Sequence, residues 1–286
     1  MAKLMLKTGR WLTMLAAAMS IGVQNVRAQV KIIDPGIDLT TDGRTLGVLV
    51  SGCNLTASSA NTLGGWPHFS VGVSGTLSHP SFRVGSVSSG SLAAILRVGV
   101  LEGVDLGPSV HGLGSMDLYL RLGTLITNGR ESASVDIWGL GARIGILRNS
   151  ILSPAVSISA GYHRSGSFSL AKVIHGTHPG PQDADVSTWS LRCELSKNLF
   201  FLTPVAGVGL NRNRIKSTRT GIPTGSGPSG LNPNINYFDP QGFEVTRKDL
   251  IYYAGVEWNF FLMRVGLELG RTGGETFGGL GLRFAI

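Results

Sequence analysis

From residue 66 onward the chain alternates apolar residues with small or polar ones, in segments of roughly 9–12 residues, the length a tilted strand needs to cross a bilayer. Every second side chain of a strand lies on the same face, so each segment has one oily side and one polar side. Phe69, Val71, Val73 and Leu77 share a phase opposite Ser70, Gly72, Ser74 and Thr76. Met116, Leu118, Leu120 and Leu122 oppose Asp117, Tyr119, Arg121 and Gly123. The pattern returns at Trp138–Ile146, Val156–Tyr162, Trp189–Leu195, Leu250–Trp258, Val265–Leu269 and Leu280–Ile286. After residue 28 there is no apolar run approaching the roughly 18–20 residues of a membrane-spanning helix. If the mature chain crosses a membrane, it must do so as a closed sheet, because unpaired backbone groups are too costly in hydrocarbon.

A soluble β-sandwich would also alternate, with its oily side packed as a core and its polar side in water. Three features favour an antiparallel transmembrane barrel. The polar faces are built largely of Gly, Ser and Ala, which suits a crowded interior; the chain has 41 glycines and only 15% charged residues. Connections alternate in length, with short links near 147–153, 197–199 and 259–260 and long segments at 164–185 and 211–248. That parity matches short periplasmic turns and long outer loops. Aromatic residues gather at both ends, Phe200, Phe201, Trp258, Phe260 and Phe261 at the short turns and Tyr162, Trp189 and Tyr252 toward the long loops. Rings in two belts are expected where a barrel meets the headgroups.

Segments near 67–77, 81–88, 92–101, 104–110, 115–126, 132–147, 153–163, 186–196, 201–210, 249–258, 261–270 and 276–286 predict an all-β barrel of about twelve strands, with a range of roughly 10–14. The segments 81–88 and 104–110 carry the weakest alternation. Residues 29–65 precede the barrel and read as a periplasmic tail, an extra strand or a plug in the lumen. Lys3, Lys7 and Arg10, the apolar stretch Trp11–Val23 and Val26-Arg27-Ala28 form the three regions of a cleaved secretory signal over residues 1–28.

Charges test the phase assignment. Arg97, Asp117, Arg121, Arg143, Arg192, Glu194, Glu257, Arg264, Glu268 and Arg283 all fall opposite the apolar row and are expected to line the lumen; Asp136 alone shares the oily phase. Such a mixture could give an open pore a weak anion preference, or pair into a closed ionic network. The net charge of +8 suits anionic lipid or nucleic acid. The scatter of the basic residues and the lack of any nucleic-acid motif favour lipid. Arg212, Arg214, Lys216 and Arg219 are expected beside an outer loop, as a surface for lipopolysaccharide or a partner.

The exported N-terminus, the alternating segments and the closing strand Leu282-Arg283-Phe284-Ala285-Ile286 resemble Gram-negative outer-membrane β-barrel proteins. The pre-barrel segment and barrel size are loosely similar to the long-chain fatty-acid transporter and porin-like type. This resemblance implies an outer-membrane location and delivery of the C-terminal strand to the barrel-assembly machinery. It transfers no functional residues.

Catalysis has little to stand on. His163, Ser165, Ser167, Asp183 and Asp185 could form an acid–base group only if their side chains converge, and a polar rim is the simpler reading. His175 and His178 lack the further ligands a metal site needs. Gly112-Leu113-Gly114, Gly139-Leu140-Gly141 and Gly279-Leu280-Gly281 do not complete a dinucleotide-binding fingerprint. Cys53 and Cys193 could pair only if the fold brought them close. The chain is therefore expected to need no cofactor or metal and to be a passive channel or transporter for small molecules, hydrophobic ones included. The alternative is a structural or adhesive surface barrel.

Overall fold

The computed structural model describes residues 59–78, 81–82, 85–86, 88–105, 111–128, 132–150, 153–169, 182–219 and 243–285. The expected signal segment 1–28, residues 29–58, Cys53, His175 and His178 lie outside them. Ten strands form the barrel: β1 (Phe69–Ser78), β2 (Ser88–Leu101), β3 (Met116–Asn128), β4 (Ser132–Leu147), β5 (Ala155–Ser165), β6 (Gln182–Ser196), β7 (Leu202–Arg219), β8 (Phe243–Phe260), β9 (Met263–Thr272) and β10 (Glu275–Ala285). Each pairs antiparallel with its neighbours in sequence. The ring closes between β10 and β1, from Ser70↔Ala285 to Ser78↔Phe277. The sheet is thus an up-and-down barrel without an open edge.

The strand count corrects the sequence expectation: ten strands close the ring, not twelve. Residues 81–82 and 85–86 make a separate two-stranded ladder in the β1–β2 connection. In the expected segment 104–110, Val104 makes an isolated bridge to Leu113, and residues 106–110 lie outside the described residues. Strands β7 and β8, by contrast, run much further than expected, pairing from Leu202↔Trp258 out to Ser217↔Phe243.

The chain enters β1 and leaves β10 at one end of the barrel, here called the entry end. Both long connections, 166–181 and 220–242, are at the far end. The parity is incomplete, since the tight turn at 273–274 also lies at the far end and the longer connection 102–115 at the entry end. At the entry end Asp105 is tied by the Gly112 amide (2.7 Å) and His111 (3.3 Å). The Gly112 bond, then the histidine, hold its carboxyl below the usual carboxylate range.

The alternation sorts side chains as the period demands. Phe69, Val71, Val73, Leu118, Leu120, Leu122, Leu191, Leu195, Leu267, Leu269, Leu280 and Leu282 face outward and are exposed. Among the described residues no second sheet covers them, and Trp189 is 61% exposed. The inward face is the buried one, with Leu125, Ile137, Val186, Ile215, Ile251 and Phe277 inside, among many serines and threonines. Bulky outward and small inward residues reflect the curvature, which leaves the inner face less room per residue than the outer. Gly207 shows the crowding, for a Cβ there would meet the Tyr253 ring.

The aromatic residues lie at both ends. Phe200 and Phe261 occupy the tips of entry-end turns with φ of 57° and 53° and are 96% and 98% exposed. A bulky residue in the left-handed region is strained, so local turn propensity does not explain a phenylalanine there. At the far end Trp138, Tyr162 and Trp189 touch in sequence, with centroids 5.6 and 5.0 Å apart.

Candidate functional site: a strap across the entry mouth

The inward charges cluster in the entry half of the barrel because their positions fall near the corresponding strand ends. Asp117 is one residue into β3, and Glu194, Glu257 and Arg283 lie two or three from the ends of β6, β8 and β10. All of Arg97, Asp117, Arg121, Arg143, Arg192, Glu194, Glu257, Glu268 and Arg283 are buried. Arg264 lies on the same inward phase at the rim, a third exposed, 3.9 Å from Glu257. Asp136 points outward and is exposed, near the start of β4.

A buried charge is tolerated only when paired and hydrogen-bonded. Here each pair reaches over one intervening strand. Arg143 on β4 pairs with Glu194 on β6, and the Tyr253 hydroxyl on β8 donates to the same carboxylate at 2.7 Å. Arg283 on β10 pairs with Glu257 on β8. Deeper in, Tyr119 stacks on His163 with centroids 6.3 Å apart.

Residues 59–64 cross the mouth and use this network. The Ser59 amide donates to Glu257 Oε2 (3.3 Å), Arg143 donates to the Ser59 carbonyl (2.6 Å), and Arg283 donates to Ser59 Oγ (3.2 Å). The Ala60 amide donates to Ser196 Oγ at 3.0 Å. Asn61 Oδ1 accepts from the Asn149 amide at 3.0 Å. Thr62 and Ser115 share a hydroxyl–hydroxyl bond of 2.7 Å, and the Leu63 amide donates to both oxygens of Asp117, at 3.0 and 3.1 Å. The segment therefore bridges β3, β4, β6, β8 and β10 across the lumen, and Ser59 and Ala60 are essentially buried. Residues 59–65, the described part of 29–65, are lodged in the lumen mouth, and residues 29–58 lie outside the described residues.

Two details show that the wall is shaped for this strap. The ladder shifts register at Gly99/Leu101 and at Gly145/Leu147, and such bulges re-aim a strand locally. A Cβ on Gly99 would collide with the Gly64 carbonyl, and the Gly99 amide donates to the His68 carbonyl at 2.8 Å. Residues 111–115 meet the strap through Ser115 and are tied to the stretch after β4 by the Arg148 amide, which donates to the His111 carbonyl at 2.8 Å.

The other candidate residues do not assemble. His163 and Ser165 point inward, whereas Asp183 and Asp185 lie on the outward phase; Asp185 pairs with Arg164 at 3.0 Å and Ser165 Oγ accepts from the Val186 amide at 3.0 Å. Cys193 lies on the outward phase of β6 and is free. Among the described residues no group of three or more His, Cys, Asp or Glu could hold a metal. Arg212, Arg214 and Lys216 stand outward on the far part of β7, and Arg219 closes that strand next to the connection 220–242. Arg214 is already held by Glu244 through bonds of 2.7 and 2.9 Å.

The fold and its mouth define an all-β, up-and-down barrel of ten strands with an internal strap. No protein-family profile matches the chain, and no curated protein matches it in sequence. Several solved barrels are similar in part. The translocator domain of the autotransporter NalP from Neisseria meningitidis is 12% identical, covers 86% of this chain and 95% of that one, and has a TM-score of 0.43. The β-domain of the Bordetella autotransporter BrkA is 12% identical over 77% of this chain and 99% of that one (TM-score 0.41). The transport unit of the Escherichia coli autotransporter AIDA-I is 10% identical over 85% and 97% (TM-score 0.42). Similarity this distant transfers no function.

Proposed function

We propose that this chain is a bacterial outer-membrane barrel that passes small solutes and is held shut by its own strap, residues 59–64. Support for the membrane comes from the exterior. Water-soluble monomers rarely expose contiguous apolar patches beyond a few hundred Å², whereas here oily residues ring the sheet between two aromatic ends. In this reading the entry end faces the periplasm, residues 1–28 are the export signal, and β10 is the strand handed to the assembly machinery. The barrel works without catalysis, cofactor or metal.

The observation that carries the conduit reading is the strap itself. A scaffold needs nothing across its mouth, whereas a conduit that must not leak needs a closure held by bonds that can break. Among the described residues the strap is held by hydrogen bonds at a ring of polar groups, without a disulfide or a packed apolar core of its own. The inward charges, richer in Arg than in acid, favour small polar solutes with a weak preference for anions over the hydrophobic cargo that barrel size alone suggests. The alternative, a surface barrel that acts only through its exterior, draws its support from the outward cations of β7.

Purified full-length protein in planar bilayers is expected to stay closed for long stretches broken by brief openings, more frequent in molar salt, which screens the ion pairs holding the strap. Steady ohmic conductance from the moment of insertion would refute the strap. Complete silence in molar salt would refute the conduit and favour the surface barrel.

A further inference from the structure

The outward face of β6, β7 and β8 changes character in steps toward the far end. Leu191, Leu210 and Leu250 stand side by side in register and are exposed. The next outward row is Trp189, Arg212 and Lys248, with Tyr162 beside the tryptophan. Beyond it come Ser187, Arg214 and Thr246, then Asp185, Lys216 and Glu244. Within three rows an aliphatic wall becomes an aromatic–cationic border and then a zone of mixed charge.

The border row places two cations directly opposite each other. Arg212 and Lys248 are cross-strand partners on the same face, an arrangement that is destabilising when nothing neutralises it. Arg214 has Glu244, and Arg164 has Asp185. Arg212 and Lys248, both exposed, have no ion-pair partner among the described residues. Grooves flank this pair. One, of about 420 Å³, is lined by Tyr162, Ser187, Trp189, Arg212, Arg214, Glu244 and Thr246, the carboxylate of Glu244 being taken up by Arg214. The other, of about 310 Å³, has Lys248, Leu250, Tyr252 and Arg271 among its lining residues.

We propose that this wall seats the phosphorylated headgroup of lipopolysaccharide, with phosphates at Arg212 and Lys248 and acyl chains along Leu191, Leu210 and Leu250. The inference rests on the outer-membrane reading and deepens it, moving the lipid contact from the loops to the wall. Charge complementarity selects the ligand: cations without an ion-pair partner among the described residues, set directly above an aliphatic surface, match an amphiphile whose anionic groups sit directly above its chains. Cations on both sides of Lys248 suit a headgroup with two phosphates better than one with a single phosphate. Trp189 and Tyr162 supply flat surfaces at the boundary, where aromatic rings are favoured.

The test uses full-length protein refolded into neutral phosphatidylcholine vesicles, extracted in mild detergent and mixed with diphosphoryl lipid A, dephosphorylated lipid A or phosphatidylglycerol. Bound lipid is counted by native mass spectrometry. Diphosphoryl lipid A is expected to be retained best, and R212S/K248S to weaken that retention at least about tenfold. R164S, which removes a charge from a neighbouring strand, should change it less than about twofold, and R212K/K248R should largely restore it. Equal retention by wild type and R212S/K248S, or by phosphorylated and dephosphorylated lipid A, overturns the proposal; so does tighter retention of phosphatidylglycerol. A wild-type barrel that never enters neutral vesicles overturns the membrane reading itself, whereas one that enters but holds no lipid A overturns this inference alone.

Discussion

Replacing Gly99 by valine is expected to turn a largely closed barrel into a persistently conducting one. Gly99 faces the lumen where the strap passes, and a Cβ there would run into the Gly64 carbonyl. The obstacle is backbone rather than a flexible side-chain tip, so no rotamer relieves it. Either β2 or the strap must move. Strand β2 is held along its length by β1 and β3, and valine suits a strand. The strap is held by hydrogen bonds to Glu257, Arg143, Arg283, Ser196, Asn149, Ser115 and Asp117. The strap should therefore yield. In planar bilayers the open fraction of G99V should rise by an order of magnitude or more, since about 1.4 kcal/mol of lost strap binding is already tenfold. Heat-modifiable gel mobility would verify that the barrel has folded. A folded G99V barrel with the wild-type open fraction would show that the strap does not close the conduit.

Arg143→Ala should cost about 3–5 kcal/mol of stability, the usual consequence of removing one partner of a buried ion pair. Arg143 pairs with Glu194 and also holds the Ser59 carbonyl, and both it and Glu194 are 3% exposed. Without the guanidinium, Glu194 keeps the Tyr253 hydroxyl but loses its counter-charge. The double variant R143A/E194A should recover at least about 1 kcal/mol over the single one, because the stranded charge is then gone. Urea unfolding in phosphatidylcholine vesicles measures both. If R143A costs under about 1 kcal/mol, the network does not bear on stability as buried pairs do. R143A should also loosen the strap, so its conductance should move in the direction of G99V.

Much of the barrel was legible because the period-two signal records burial directly. Trp138, Leu140 and Ile144 face out and Ile137, Gly139 and Arg143 face in, as their alternation implies. The excess strands came from the same signal working where it does not specify pairing. Residues 81–88 alternate, yet Ser81–Phe82 and Gly85–Ser86 form only a short ladder in a loop. Val104 likewise finds just one bridging partner, Leu113. The opposite error affected β7 and β8. Their outer halves carry Arg212, Arg214 and Lys216 where lower rows carry leucine, so the oily row stops while the backbone ladder continues. The phase persists as Asn211, Asn213 and Ile215 inward against cations outward, and that was the available clue. Lys248 was missed for the same reason, since its importance comes from facing Arg212 across the sheet.

The strap was not legible as such, since residues 29–65 were open between a tail, an extra strand and a plug. Ser59-Ala60-Asn61-Thr62 has no period and little hydrophobicity, and its position depends on bonds to residues up to 224 positions away. Gly64 and Gly65, with Gly64 at φ +104°, mark the bend into β1 but not the side of the wall on which the preceding chain lies. The inward phase of the charges could be read, whereas their convergence on Ser59 depends on how strand ends align around a closed ring.

Lipid contact at the outward face underlies all of these expectations, and nitroxide labels test it directly. With Cys53 and Cys193 changed to Ser, single cysteines at Leu120 and Leu267, both outward, and at Ser159, inward, would be labelled in protein refolded into phosphatidylcholine vesicles. At Leu120 and Leu267 oxygen should collide often with the label and a water-soluble nickel chelate rarely, the opposite of a label at the aqueous rim. Nickel-chelate collisions at Leu120 and Leu267 as frequent as those of a label in water would place that face in solvent, and the outer-membrane account would fail.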